Sequence, residues 1–376
     1  MITLRQLPGN HPGRRFLTGD TTWFATQADQ RFSYGLHVPE RFVPGTRCPV
    51  VVAVHSTMRR AQELRRSWSD FAEQHRAVIV TPLFPAGISG PDDLDGYKGI
   101  GDGQLRYDQV LFAMLDEIAA RWDLDVSRFY LAGHSGGGQF AARMLLLHPD
   151  RLAGVAISAP GRITLTDPAV SWPAGTADTE DRFGIRVDPA EVAKVPILLT
   201  AGAEDLGTAD LRAQEDPAQE SYGSTRIARL TTLAGHLRAT GADVRLELVP
   251  GAGHSGNPTQ PVVERFLAGL MRRPRTLGEV ATIVRSKNAG PFWMTIDAFF
   301  ANDADYRGAC ASALTDRRFL AATYAIDPDS IEIYRVDSLL ALKISFPRPV
   351  PQGSPGDTDQ HAGQQYVPLL GIPIPS

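Results

Sequence analysis

Over about the first 270 residues, apolar positions alternate between two spacings. Pro49–Val54 (PVVVAV) is a continuous apolar run rich in β-branched residues, the pattern of a strand buried on both faces. Phe32–Val38, Ala77–Leu83, Arg128–Ala132, Leu152–Ser158, Pro196–Ala201 and Val244–Val249 read as further strands. Helical segments fall between them at Ala61–His75, Leu105–Trp122, Gly136–Leu147, Thr225–Thr240 and Pro261–Met271. In the second of these, Tyr107, Leu111, Met114, Leu115 and Ile118 repeat at the helical period. Repeated strand–helix units predict an α/β fold, a mostly parallel sheet with helices on both faces. Residues Pro160–Val195 interrupt the alternation and form a candidate lid.

The pattern breaks at Arg272–Arg275, a basic tetrapeptide containing Pro274 that reads as a linker. Beyond it, Glu279–Arg285, Phe292–Ala298, Ile331–Val336 and Leu339–Phe346 look like strands, and Asp303–Ala313 and Thr315–Ala325 look helical. The expected organisation is one α/β domain over residues 1–273 and a small α+β domain over 274–376. The Pro- and Gly-rich stretch Pro347–Ser376 is expected to lie extended over the surface.

Composition narrows the classes. The 376 residues exceed one domain of ordinary size. Hydrophobic residues at 43% and charged residues at 21% exclude a disordered chain. A net charge of −4 offers no basic field for nucleic acid. The two cysteines, Cys48 and Cys310, sit in no metal-spacing motif and read as small core residues. No signal peptide and no apolar run long enough to cross a bilayer is readable, so a cytoplasmic protein without membrane contact is expected.

The clearest chemistry is Gly133-His134-Ser135-Gly136-Gly137, which fits G-x-S-x-G. It follows the apolar strand Phe129–Ala132 and leads directly into a helix, the setting this motif requires. The turn is tight enough that flanking residues must be small, and it lifts a serine hydroxyl above the sheet edge. The helix start offers the Gly136 N–H to a developing oxyanion. A nucleophilic serine needs a base, and the base an orienting acid. Of nine histidines, His254 alone follows a late strand, in the glycine loop Pro250–Gly256. Asp205 stands just past the strand Pro196–Ala201, with Glu204 as its rival and Asp178, Asp181 and Asp188 behind. The loop His55-Ser56-Thr57 after Pro49–Val54 is expected to give a second oxyanion donor, Thr57 ahead of Ser56. Candidate substrate contacts are His55, Tyr97, Lys98 and Trp172; for the last three, solvated-loop or lid-packing roles compete.

Ser135, Asp205 and His254, in that order, resemble the triad of the α/β-hydrolase superfamily over about Phe16–Met271. Val50–Thr57 and Gly136-Gly137-Gly138-Gln139-Phe140 are similar to serine esterases of the polyhydroxybutyrate-depolymerase and feruloyl-esterase kind. The resemblance implies an acyl-enzyme mechanism on a small-molecule carboxylic ester, with no metal or organic cofactor. A thioesterase or carbon–carbon hydrolase is the alternative, and a non-catalytic scaffold the second. The usual oxyanion loop has His-Gly where this chain has His55-Ser56. Arg285–Pro291, Pro347–Val350 and Gly353–Asp359 resemble a domain of unknown function that often accompanies acyclic-terpene-utilisation proteins. There Lys287, Asn288, Asp357 and Asp359 are candidates for a ligand site or, as turn formers, for turn capping. Phe292, Trp293, Phe299, Phe300 and Phe346 predict a homo-oligomer contact through this domain.

Overall fold

The computed structural model describes residues 2–101, 105–208, 211, 217–271 and 275–375. The chain divides into two units, Met1–Met271 and Arg272–Ser376. Of the expected linker, residues 272–274 lie outside the described residues.

The first unit is built on a nine-stranded sheet. Its strands are β1 (Gly19–Asp20), β2 (Phe24–Ala25), β3 (Ser33–Val38), β4 (Val50–Val54), β5 (Val78–Leu83), β6 (Phe129–His134), β7 (Leu152–Ser158), β8 (Ile197–Gly202) and β9 (Val244–Val249). They lie in the order β1-β3-β5-β4-β6-β7-β8-β9, with β2 beside β3. From β5 through β4 to β9 every pairing is parallel, and β1, β2 and β3 form an antiparallel edge. The β-branched run of β4 is buried at every position. Because side chains alternate across a strand, Val50, Val52 and Val54 enter one core layer. Val51 and Ala53 enter the opposite layer, against Trp68, Phe71, Val263 and Leu267. Helices on both faces follow from this double burial.

In this unit two features depart from the sequence reading. The segment expected as one helix is two, Ala61–Ser67 and Ser69–His75, joined at the buried Trp68. The strands β1 and β2 were not expected, since two-residue strands carry no alternation to read. The segment 160–195 holds two short helices, Thr179–Phe183 and Pro189–Val192. No helix among the described residues is long and apolar enough to cross a membrane.

The second unit holds a four-stranded antiparallel sheet in the order β11-β12-β14-β13. These strands are β11 (Ala281–Asn288), β12 (Trp293–Phe300), β13 (Glu332–Val336) and β14 (Ala341–Pro347). Helices Asp303–Cys310 and Arg317–Tyr324 cover one face, burying Met294, Ile296, Phe300, Leu342, Ile344 and Phe346. The first of these strands starts later than the pattern suggests because Thr276 and Glu279 form a capping box that turns Leu277–Val280 into a helical turn. The tail is not simply draped over the surface. Leu369, Ile372 and Ile374 are core residues, and β15 (Pro373–Ile374) pairs with β10 (Arg275–Thr276).

The candidate ligand residues of this unit cap turns instead. The buried Arg348 donates to the side chains of Asn288 and Asp357 and to the Asp359 carbonyl. The Asp357 and Asp359 carboxylates accept the N–H groups of Gly353, Gly363 and Gln364. Lys287 lies 4.0 Å from Asp297 on the sheet. The aromatic argument for a subunit contact also weakens, because Phe300 and Phe346 belong to the core and only Phe292 of the five is well exposed.

Candidate active site

Ser135 stands between β6 and the helix Gly136–Leu147 with φ +54° and ψ −111°. Left-handed backbone at a residue with a side chain is strained, and here it raises the hydroxyl out of the sheet edge. The turn closes only because glycine flanks it. A β-carbon at Gly133 would strike the Gly137 carbonyl, and one at Gly137 would strike the Val54 carbonyl. The Ser135 N–H is held by the Ser158 carbonyl of β7 at 2.9 Å.

The loops after β8 and β9 bring two further groups to this point. His254 Nε2 lies 3.2 Å from Ser135 Oγ, and His254 Nδ1 lies 2.7 Å from Asp205 Oδ2. Asp205 is buried and the His254 side chain is 36% exposed, so the imidazole bridges a dry carboxylate and an accessible hydroxyl. The loops are locked together where Glu204 N–H donates to the Ala252 carbonyl and Ala203 N–H to the Val249 carbonyl. A glycine at 202 is required by close approach, since a β-carbon there would strike the carbonyls of Ala252 and Gly253. Of the acids weighed from sequence, Asp205 meets the imidazole, whereas Asp178 binds Arg182 and the Trp172 N–H. His134 turns its ring against that of His254, centroids 5.1 Å apart, and its Nε2–H donates to the His254 carbonyl. Burial, then the neighbouring His254, hold His134 down at about 4.

Gly136 is the first residue of its helix, where an N–H has no intrahelical partner. Thr57 borders the same cavity, and among the described residues its N–H meets no backbone acceptor. Its loop is braced by a residue the sequence did not point to. Arg59 donates to the carbonyls of Phe84 (2.9 Å), Thr57 (2.6 Å) and Leu94 (2.8 Å). Arg59 itself takes a positive φ, at +55°.

The four expected substrate contacts separate. Lys98 lines a cavity of about 1130 Å³ that also holds Ser135, His254, Thr57, Gln139 and Asp95. His55 borders it, but both ring nitrogens are used, Nδ1–H donating to the Ser56 carbonyl and Nε2 accepting the Phe84 N–H. Burial pushes that ring down to about 4, so it stays neutral and structural. Tyr97 is buried with its hydroxyl on the His55 carbonyl. Trp172 donates to the Gly99 carbonyl and packs edge-on against Phe183, and among described residues only Gly161 of the 160–195 segment borders the cavity. These two aromatics therefore pack that segment to the core rather than line a substrate pocket.

A second residue without an obvious sequence signal is Arg226, at the start of helix Arg226–Ala239. Its Nη1 donates to Asp205 Oδ1 at 3.2 Å, both side chains buried. A basic residue at a helix start reads as solvated until the fold turns it inward.

The Met1–Met271 unit has the α/β-hydrolase fold. It is similar to LpqC, a poly(3-hydroxybutyrate) depolymerase from Bordetella parapertussis, at 26% identity and TM-score 0.54, covering 63% of this chain and 83% of that one. It shares its fold with poly(aspartic acid) hydrolase-1 from Sphingomonas sp. KT-1, at 20% identity and TM-score 0.56, covering 66% and 98% of the two chains. Over 130 residues the chain is 28% identical to poly(3-hydroxyalkanoate) depolymerase C of Paucimonas lemoignei. That match spans 33% of this chain and 30% of the depolymerase. Residues 277–373 match the family described as Domain of unknown function (DUF4387).

Proposed function

We propose that the first unit is a serine hydrolase of carboxylic esters working through an acyl-enzyme. The observation that carries this reading is the continuous chain Ser135 Oγ, His254 Nε2, His254 Nδ1, Asp205 Oδ2 at 3.2 and 2.7 Å, on a strained turn above an open cavity. The likeness to two bacterial polyester depolymerases supports an ester as the bond cleaved.

Each role follows from position. Ser135 Oγ attacks the ester carbonyl while His254 Nε2 takes its proton. The charge on the carbonyl oxygen is met by the N–H groups of Gly136 and Thr57, which need no reorganisation as it develops. Asp205 holds the imidazole with Nδ1 protonated and stabilises the imidazolium without taking the proton. His254 then protonates the departing alcohol. Water, deprotonated by the same imidazole, attacks the acyl-enzyme and releases the acid and free Ser135.

The test is hydrolysis of short-chain nitrophenyl esters by the wild type and Ser135→Ala. Turnover in the wild type and its loss by about 10³-fold or more in the variant is the expected result. Equal turnover by both removes the assignment.

A further inference from the structure

The cavity carries a cation whose position the hydrolytic mechanism leaves unused. Lys98 sits in the 3-10 turn Gly96–Gly99, its side chain only 8% exposed. It runs directly beside the proposed oxyanion donor. A β-carbon added at Gly136 would lie 3.0 Å from Lys98 Cε and 3.1 Å from Thr57 Oγ1. The ammonium group is one bond beyond that carbon. The Lys98 backbone is fixed in turn by the buried Arg143, whose guanidinium donates to its carbonyl.

Its partner is a poor match in burial. Lys98 is ion-paired with Asp95, whose side chain is 45% exposed. A desolvated ammonium cannot be left without a counter-charge, but the counter-charge need not be Asp95. An anion arriving in the cavity can take over the pairing while Asp95 returns to water. The neighbouring Asp93 does not compete, since its carboxylate accepts the N–H groups of Ser89, Asp95 and Gly96 and shapes the loop.

A second cation, Arg162, acts from outside the residues that line the cavity. Arg162 follows the cavity residue Gly161, and its buried Nε has no hydrogen-bond partner. Among the described residues its guanidinium forms no ion pair. Its field reaches Lys98: burial is the main cause holding the ammonium below the ordinary lysine range, Asp95 opposes it, and Arg59 and Arg162 add to it. The buried ammonium has one half-exposed acid as its partner, and since Glu63, Asp92 and Asp93 also line the cavity, an incoming carboxylate would be held by Lys98 itself rather than by the overall charge of the lining.

We propose that the esters this site takes carry a carboxylate, bound by Lys98 beside the scissile carbonyl. The inference rests on the hydrolase reading and specifies its substrate class. Arg162 contributes to the site through its charge on Lys98.

The test compares a half-ester with its neutral counterpart, such as monoethyl adipate against ethyl hexanoate, by titrating the acid released. The expected result is a kcat/KM preference for the half-ester of about tenfold or more, the scale of one charge-assisted hydrogen bond. It should shrink at high salt, and it should shrink in Lys98→Met and in Arg162→Met, while Lys98→Arg keeps part of it. A wild type that hydrolyses the neutral ester as well as the half-ester overturns the proposal, as does a preference that survives both substitutions. Turnover of neither ester, with no fluorophosphonate adduct at Ser135, takes down the hydrolase reading and this inference with it. An adduct without half-ester preference overturns this inference alone.

Discussion

Arg226 and His254 divide the Asp205 carboxylate between them, Arg226 on Oδ1 at 3.2 Å and His254 on Oδ2 at 2.7 Å. The acid is buried and would be costly to hold charged beside a single imidazole. Arg226 supplies the compensating charge from a helix that makes no other contribution to the proposed triad. Arg226→Met therefore strands a buried carboxylate, with an expected loss of about 3–5 kcal/mol in stability by thermal or denaturant unfolding. In steady-state assays kcat should fall while KM changes little. The fall should be smaller than the roughly 10⁴-fold that follows disabling a triad acid. Arg226→Lys should recover part of both losses; an unchanged melting curve and kcat would show that Asp205 does not depend on this pair.

Arg59 makes a separate prediction. Its three carbonyl acceptors join the Thr57 loop to the chain at Phe84 and Leu94. A lysine keeps the charge but cannot span three acceptors with one point donor. Arg59→Lys should lower kcat by about tenfold or more, below the 10²–10³-fold that removal of one oxyanion donor costs. Crystal structures of the variant should show the Thr57 loop displaced. Wild-type kcat with an unmoved loop would dismiss the bracing role.

Two buried rings contribute to acid stability. His55 and His134 each lie at about 4 rather than the ordinary 6.5, burial being the main cause in both. The unfolded chain takes up these protons near 6.5, and the folded chain resists them until about 4. Stability is therefore complete above the upper value and falls as pH drops through that window. For the fully buried His55 the loss amounts to about 3 kcal/mol by the lower end. Melting temperatures measured across the window should decline, and His55→Asn should flatten the decline. A wild-type curve flat across it would contradict the burial argument.

In the second unit, Arg348 and Asp357 form a buried ion pair at 2.7 Å. Arg348→Met should cost about 3–5 kcal/mol, because Asp357 remains charged and enclosed. The double variant with Asp357→Asn should cost clearly less, since no charge is stranded. Chemical denaturation of the three proteins gives the comparison, and equal losses for the single and double variants would rule out the pair as the cause.

The sequence carried the parts of this molecule whose pattern is local. The run Val50–Val54 announces a doubly buried strand, and Gly133–Gly137 after an apolar strand announces the tight turn that holds Ser135 at positive φ. His254 and Asp205 were legible because each closes a strand at the same sheet edge, where the structure brings their side chains together. Arg226 and Arg59 were not, since their roles come from partners 21 and 25 residues away that no periodicity links to them. Nor were the core roles of Leu369, Ile372 and Ile374, because proline and glycine around them mask any strand or helix spacing. Trp172 was ambiguous because aromatic side chains in an irregular segment read equally as a pocket wall or as packing; in the structure it packs edge-on against Phe183.

The central claim is that Ser135 is the nucleophile, activated by His254. Intact-mass and peptide analysis after brief exposure to a fluorophosphonate tests it most directly. The account predicts one adduct on the Ser135 peptide, absent in Ser135→Ala and slowed by about 10³-fold or more in His254→Ala. No adduct in the wild type, or an adduct on another residue that persists in Ser135→Ala, would contradict it.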